Sequence, residues 1–364
     1  MASLPGNIDV SRLKSYLAGE LGVEVTGVRL LDDKLNVMLA ISTADEEDAF
    51  VLRRPNRLRY TNLFGDLRQE YETLQRLETT TIPTQTPVLF CEDESVLGEP
   101  FFVATYLDGE TIPVGADLPE RFQNPTAREQ VATGFIDLLA ELHSLDTGPF
   151  EDVCNHRSPR DQLARASDRL DEAASVTAHD FSSLRRIALW LRSNAPSKPK
   201  TTLVHGDFGP SNIVFTGESR PEFAAVIDWE TAYLGDPLTE LGYFCLYWRD
   251  DDDPALPLDD LEAKYAEKGG LDNVRDLDEY GFTPFSTKSG SPTRHELIDR
   301  YEQRSGIDFD HKRFYHAYSA FMLATVWADL DRHDVEAGSD ATRGALIDYM
   351  SFVADAVIRG DFDR

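Results

Sequence analysis

The chain has 364 residues, 41% of them hydrophobic, which is enough for a large core divided between two lobes. Asp and Glu number 65 against 36 Lys and Arg, a formal net charge of -29, with only eight lysines. Phosphate contacts need Lys/Arg clusters, so this balance argues against a nucleic-acid partner.

The acids recur along the whole length, as in "ADEEDAF", "RDDDDPALPLDD" and "VRDLDEY", rather than in one tail. Such spreading reads as a surface kept soluble in high salt, and it predicts a halophile-type cytoplasmic protein. The start, "MASLPGNIDVSRLKSYL", has no charged-then-apolar signal region. The longest apolar stretch, "AFMLATVWADL", is too short to span a bilayer, so no membrane association is expected. Cys91, Cys154 and Cys245 form no C-x-x-C pair, and neither a disulfide framework nor a zinc site is indicated.

In chain order, "VRLL", "NVMLAI" and "AFVLRR" read as strands. "DLRQEYETLQRLE" sets Leu67, Tyr71, Leu74 and Leu77 on one helical face, and "PVLFCEDESVLGEPFFVATYL" reads as two strands joined by a turn. Past "DGE" the pattern becomes helical, with Val131, Phe135, Leu138 and Leu142 at helical spacing and a further stripe over 181–192. The predicted organisation is α+β, a small β-rich lobe with one main helix over 1–106 and a larger helical lobe over 107–364. Trp229 and the aromatic run "YFCLYW" read as core, and the acidic run 250–253 as solvated surface.

One stretch interrupts the helices. In "TTLVHGDFGPSNIVF", Leu203 and Val204 end a strand, Gly206, Gly209 and Pro210 force a loop, and Ile213 to Phe215 begin a second strand. "FAAVID" is a third strand ending at Asp228. This arrangement brings Asp207, Asn212 and Asp228 together. One carboxylate and one amide oxygen suit Mg²⁺, which takes oxygen ligands and leaves positions for substrate phosphates. The remaining carboxylate can accept a proton from an attacking hydroxyl, so the constellation points to phosphoryl transfer.

His205-Gly206-Asp207, four residues, then Asn212 fits the kinase catalytic loop H-x-D-x-x-x-x-N. "HGDFGPSN" with "VIDWETAYLGDP" resembles the aminoglycoside phosphotransferase and choline kinase superfamily. "LLAELHSLD", "GDPLTELGY", "FVLRRP", "RQEYETLQRL" and "LGEPFFVATYLDGE" extend the resemblance, and "TRHELIDRYEQRSGIDF" turns it toward the kinase-like domains fused to acyl-CoA dehydrogenases. The resemblance implies a two-lobed protein-kinase-like fold with ATP between the lobes and Mg²⁺ as cofactor. It makes Asp207 the catalytic base, and Asn212 and Asp228 the metal ligands. His205 would brace the loop, and Asp236 would hold backbone near the site. Arg53 takes the place of the usual strand lysine, with Glu70 as its partner, and a guanidinium can grip phosphate in its stead. Asn36, Thr105 and Tyr106 complete the nucleotide-binding set implied by the resemblance. One departure stands out: "LLDDKLNVML" carries no glycine where a glycine-rich phosphate loop would sit.

The expected activity is transfer of the γ-phosphoryl group to a small-molecule hydroxyl, the acceptor being a hydroxylated acid or its acyl thioester. The alternative is a nucleotide-binding pseudokinase acting as a regulatory module, motivated by the glycine-poor loop.

Overall fold

The sheet of the first lobe is set by alternation. In the computed structural model, which describes residues 8–33, 35–56, 64–197, 199–250, 253–266 and 269–362, strands β1 (Val25–Asp32), β2 (Asn36–Thr43), β3 (Phe50–Pro55), β4 (Pro87–Cys91) and β5 (Phe101–Thr105) form one antiparallel sheet ordered β1-β2-β3-β5-β4. Val37, Leu39 and Ile41 of β2, Leu52 of β3 and Phe101 and Val103 of β5 point to one face, where they pack on Leu13 and Leu17 of α1 (Val10–Leu21). The residues between them, Val51, Phe102 and Ala104, face α2 (Leu67–Leu77) with Leu67, Leu74 and Leu77. Period-two alternation therefore puts Arg53 on the α2 face of a central strand, fixed between Met38 and Phe102. The link from β4 to β5 is more than a turn: it contains the one-turn helix α3 (Glu94–Leu97), capped by Asp93.

Helix α2 is tied to the second lobe as well as to the sheet. Gln69 Nε2 donates to Ala232 O at 3.0 Å, and Gly65 N donates to Glu230 O at 2.7 Å. The side chain carried one position past Gln69, Glu70, is thereby held at a fixed height above the cleft.

The second lobe is built from α4 (Pro125–Leu142), α5 (Pro159–Val176), α6 (Ser182–Asn194), α7 (Pro237–Tyr247), α8 (Asp259–Tyr265), α9 (Leu271–Tyr280), α10 (Arg294–Ser305), α11 (Lys312–Glu336) and α12 (Gly344–Arg359). The α4 stripe of Val131, Phe135, Leu138 and Leu142 is buried, as its spacing predicts. Long α11 runs beside α5, α7 and α12 and forms the spine of the lobe. Short strands sit where the helices meet: β6 (His156–Arg157), β7 (Thr202–Val204), β8 (Ile213–Thr216), β9 (Glu222–Val226) and β10 (Tyr233–Gly235). β8 and β9 form a two-stranded hairpin, whereas β7 pairs with β10, which also pairs in parallel with β6. Among the described residues no helix is long and apolar enough to cross a membrane.

Two expectations change. The acidic run is not merely solvated: Asp253 accepts both guanidinium nitrogens of Arg294, at 3.0 and 2.5 Å, and Asp250 accepts the Arg294 backbone N–H, while Asp251 and Asp252 lie outside the described residues. The strand before Asp228 ends at Val226, so Asp228 stands two residues beyond it, in the left-handed region at φ 65°.

Candidate active site

The loop between β7 and β8 is held from below by one buried carboxylate. Glu240, on α7 and 2% exposed, accepts from Gly206 N at 2.6 Å and His205 N at 3.1 Å. Its Oε2 also meets His143 Nε2 at 3.0 Å, and His143 Nδ1 lies 2.7 Å from the Tyr301 hydroxyl. The imidazole thus bridges the Glu240 carboxylate and the Tyr301 hydroxyl, one ring nitrogen to each. Burial alone would raise the Glu240 carboxyl; His143 and the loop N–H groups outweigh it and hold the group below its ordinary value. Gly206 is required at its position: φ is +88° and a Cβ there would lie 2.7 Å from Thr231 O.

His205 is a brace. Its Nδ1 accepts from Asp207 N at 3.2 Å, which leaves Nε2–H to donate to Ile227 O at 2.8 Å, and its ring stands edge-on to Trp229. These bonds join the loop to the segment leading into Asp228. Asp236 caps α7 by accepting from Leu238 N at 3.0 Å and receives the Tyr315 hydroxyl at 2.6 Å, so it shapes the helix that carries Glu240.

Asp207 opens onto a cavity of about 510 Å³. Asn212 Nδ2 donates to its Oδ2 at 3.0 Å and to its backbone carbonyl at 2.8 Å, and the Tyr243 hydroxyl donates to Oδ1 at 2.9 Å. Tyr243 in turn lies 3.0 Å from the Tyr247 hydroxyl. Burial raises the Asp207 carboxyl above its ordinary value, the charge of Asp228 adds to the rise, and the His205, Tyr243 and Asn212 contacts oppose it. A carboxylate so placed is a better proton acceptor than one in water.

Across the cleft, Arg53 gathers carboxylates from both lobes. Its Nη1 meets Glu70 at 2.6 Å and Glu230 at 3.1 Å, and its Nη2 pairs with Asp228. Burial works against the Arg53 charge, but Asp228, Glu70 and Glu230 together raise its affinity for the proton above the ordinary value. Asn36 Nδ2 donates to the same Glu230 oxygen at 3.0 Å, linking the start of β2 to the turn Trp229–Thr231.

The donor set fits a magnesium ion. Asn212 spends its amide nitrogen on Asp207, so its oxygen remains as a hard ligand, and Asp228 supplies a carboxylate held at the same cavity. No group of three His, Cys, Asp or Glu among the described residues could hold a metal by itself.

A family model described as the phosphotransferase enzyme family, abbreviated APH, matches residues 28–277. The chain belongs to this phosphotransferase family. Among curated proteins it is 30% identical over 325 residues to acyl-CoA dehydrogenase family member 10 of Mus musculus, covering 86% of this chain and 27% of that protein. It is 27% identical over 213 residues to family member 11 of Homo sapiens, covering 57% and 26%. The chain thus spans about a quarter of the length of these relatives. Among solved structures it is similar to a Ralstonia eutropha protein provisionally assigned as an aminoglycoside phosphotransferase, with TM-score 0.70, 21% identity and coverage of 96% and 98% of the two chains. It is also similar to a choline kinase from Streptococcus pneumoniae, with TM-score 0.59, 13% identity and coverage of 97% and 99%. These likenesses establish the two-lobed kinase-like fold.

Within the phosphotransferase fold, Asp207, Asn212, Asp228, Arg53, Glu70 and Asn36 meet around the cleft. Thr105 and Tyr106 stand at the end of β5. Thr105 N donates to Thr86 O, its carbonyl accepts from Gln85 Nε2, and Tyr106 N donates to Ala49 O, so these backbone groups serve the sheet and its margin. Sequence reasoning assigned no role to Glu230, Glu240 or His143, although each lies inside a segment that carries the family resemblance. It also placed Tyr243 in the core. Phe244, Cys245 and Trp248 are buried there, but Tyr243 lines the cavity and touches Asp207.

Proposed function

We propose that the chain is an ATP- and Mg²⁺-dependent kinase that phosphorylates the hydroxyl of a small molecule. The observation that carries this reading is the meeting of Asp207, Asn212 and Asp228 with Arg53 and Glu70 from the opposite lobe. Asp207 would take the proton of the acceptor hydroxyl as its oxygen bonds to the γ-phosphorus. The bond from that phosphorus to the bridging oxygen breaks, and its electron pair leaves with ADP. Tyr243 and Asn212 each hold one oxygen of Asp207, which orients the base toward the cavity. Bound Mg²⁺, held by Asn212 and Asp228, would supply charge neutralisation on the transferring phosphates. Arg53 would hold phosphate oxygens from the sheet side, with Glu70 fixing its direction. The nucleotide would lie between lobes divided near residue 106. A solved relative of the same fold is a streptomycin-ATP ternary complex, which supports this placement of the nucleotide.

For the acceptor we favour a hydroxylated acid or its acyl thioester. The curated relatives are named as acyl-CoA dehydrogenases, and one wall of the cavity is apolar, formed by Met322, Leu323, Val326 and Leu330 along α11. ADP release from Mg²⁺-ATP across a panel of hydroxy acids, their thioesters and aminoglycosides, in molar KCl, tests the assignment. Turnover with the acids or thioesters supports it; turnover confined to aminoglycosides overturns the acceptor class, and no ADP release with any compound overturns the kinase reading.

A further inference from the structure

The cavity is lined by charges of both signs, with Asp207, Asp228, Glu230 and Glu240 on the one hand and Arg157, Arg165 and Arg169 on the other. Three guanidinium groups lining one cavity are unexpected in a chain of net charge -29, where acidic partners abound. None of the three has a carboxylate at ion-pair distance among the described residues. The carboxylate that acts most on Arg169 is Asp329, which already accepts from Arg332 Nε and Nη2, at 2.9 and 2.7 Å.

The fold brings these groups together from separate elements. Arg157 lies on β6 and stacks toward the Tyr233 ring, its guanidinium carbon 5.6 Å from the ring centre. Arg165 and Arg169 are one turn apart on α5, and Arg169 Nη2 donates to Thr325 Oγ1 of α11 at 3.3 Å. Arg157 Nε, Arg169 Nε and the Tyr318 hydroxyl are all buried without a hydrogen-bond partner among the described residues. Arg169 is 6% exposed and Tyr318 3%. Native proteins rarely leave such donors unmatched, and a charged donor is the most costly to leave so. Like-charge crowding adds to the imbalance: burial first, and then the charge of Arg165, lower the proton affinity of Arg157.

Resting on the kinase reading above, we infer that Arg157, Arg165, Arg169 and Tyr318 form an oxyanion subsite that binds a carboxylate or phosphate group of the acceptor. Guanidinium forks match both groups, and the cavity's charges of both signs then orient the ligand. Its anion goes to the arginines, its apolar body lies on the α11 face, and its hydroxyl reaches Asp207. A second cavity, of about 530 Å³, is lined by the same three arginines together with Asp66, Asp168 and Glu172. A cationic acceptor would face repulsion at the arginines, which separates the first cavity from one built for an amino sugar.

Binding read without turnover keeps this inference separate from the kinase reading. The probes are 6-hydroxyhexanoate, its methyl ester and 6-hydroxyhexyl phosphate, titrated calorimetrically into the full chain and into Arg157→Gln and Arg165→Gln. Arg165 is exposed, so its replacement leaves the fold intact. Wild type should bind at least one of the two anions at least tenfold more tightly than the neutral ester, and each variant should lose most of that advantage while its weak affinity for the ester stays level. Preference for the acid identifies a carboxylate site, and preference for the phosphate a phosphate site. Equal affinity for ester and anions in wild type, or an anion preference that survives both substitutions, overturns the inference.

Discussion

At the scale of single residues, Asp207 joins catalysis to a cost in stability. Burial raises its carboxyl above the unfolded value, so the stability it contributes is complete below the unfolded pKa and is lost as pH rises through the folded one. Above the unfolded pKa the buried carboxyl is therefore a burden on the fold. Asp207→Asn should melt at or above the wild-type midpoint at pH 7, a calorimetric result that a purely structural Asp207 would reverse. Tyr243 acts on the same group. Its hydroxyl stabilises the ionised carboxylate, so Tyr243→Phe should raise the Asp207 pKa and move the acid limb of kcat/KM upward by about one pH unit. A pH–rate profile reads this directly, and an unchanged acid limb would remove Tyr243 from the tuning of the base. Asp207, Asn212 and Asp228 were legible in the sequence because their roles are set by local spacing in a glycine-broken loop. Tyr243 was not: "YFCLYW" is apolar on every side, and only the packing of α7 against the loop decides which ring faces the cavity.

Between elements, two buried clusters of charged and polar groups do the joining. Arg53 connects the sheet, α2 and the Trp229–Thr231 turn through Glu70, Asp228 and Glu230. Arg53→Ala should raise KM for ATP more than KM for the acceptor, and Arg53→Lys should recover part of the loss, as initial-rate kinetics with each substrate varied would show. An effect confined to the acceptor would place Arg53 outside the nucleotide site. Glu240 is the second cluster, joining α7 to the catalytic loop and, through His143, to α4 and α10. Glu240→Gln presents an amide N–H₂ to partners that include two backbone N–H groups, and leaving one such buried donor unsatisfied costs about 1–3 kcal/mol. It should lower both the melting midpoint and kcat, measured on the same preparation; a lowered midpoint with kcat intact would make Glu240 a support of the lobe rather than of the loop. The long amphipathic helices and the first-lobe strands were legible from periodicity. The pairing of β7 with β10 was not, because three-residue strands carry no readable period and their partners are set by tertiary packing.

For the whole molecule, charge is the dominant fact. A net charge of -29 repels itself at low ionic strength, where the Debye length is about 30 Å at 0.01 M, and is screened to about 3 Å at 1 M. The melting midpoint should therefore rise steeply from low to molar KCl, and Mg²⁺-ATP should restore part of it at low salt by entering the acidic cleft; a flat series would remove the high-salt reading and leave the kinase reading untouched. The acidic balance was plain in the sequence, whereas its local reversal at Arg157, Arg165 and Arg169 was not, since two-residue β6 carries no readable period and reaches the strand before the catalytic loop through β10, a pairing set by tertiary packing. The central claim is phosphoryl transfer by Asp207, and it is tested most directly by following the γ-phosphorus of Mg²⁺-ATP by ³¹P NMR, in molar KCl, with a hydroxy-acid acceptor, for wild type and Asp207→Asn. A new phosphomonoester signal that forms with wild type and falls by about 10²–10⁴-fold in rate with Asp207→Asn is the predicted result; equal rates of ester formation by the two proteins would contradict it.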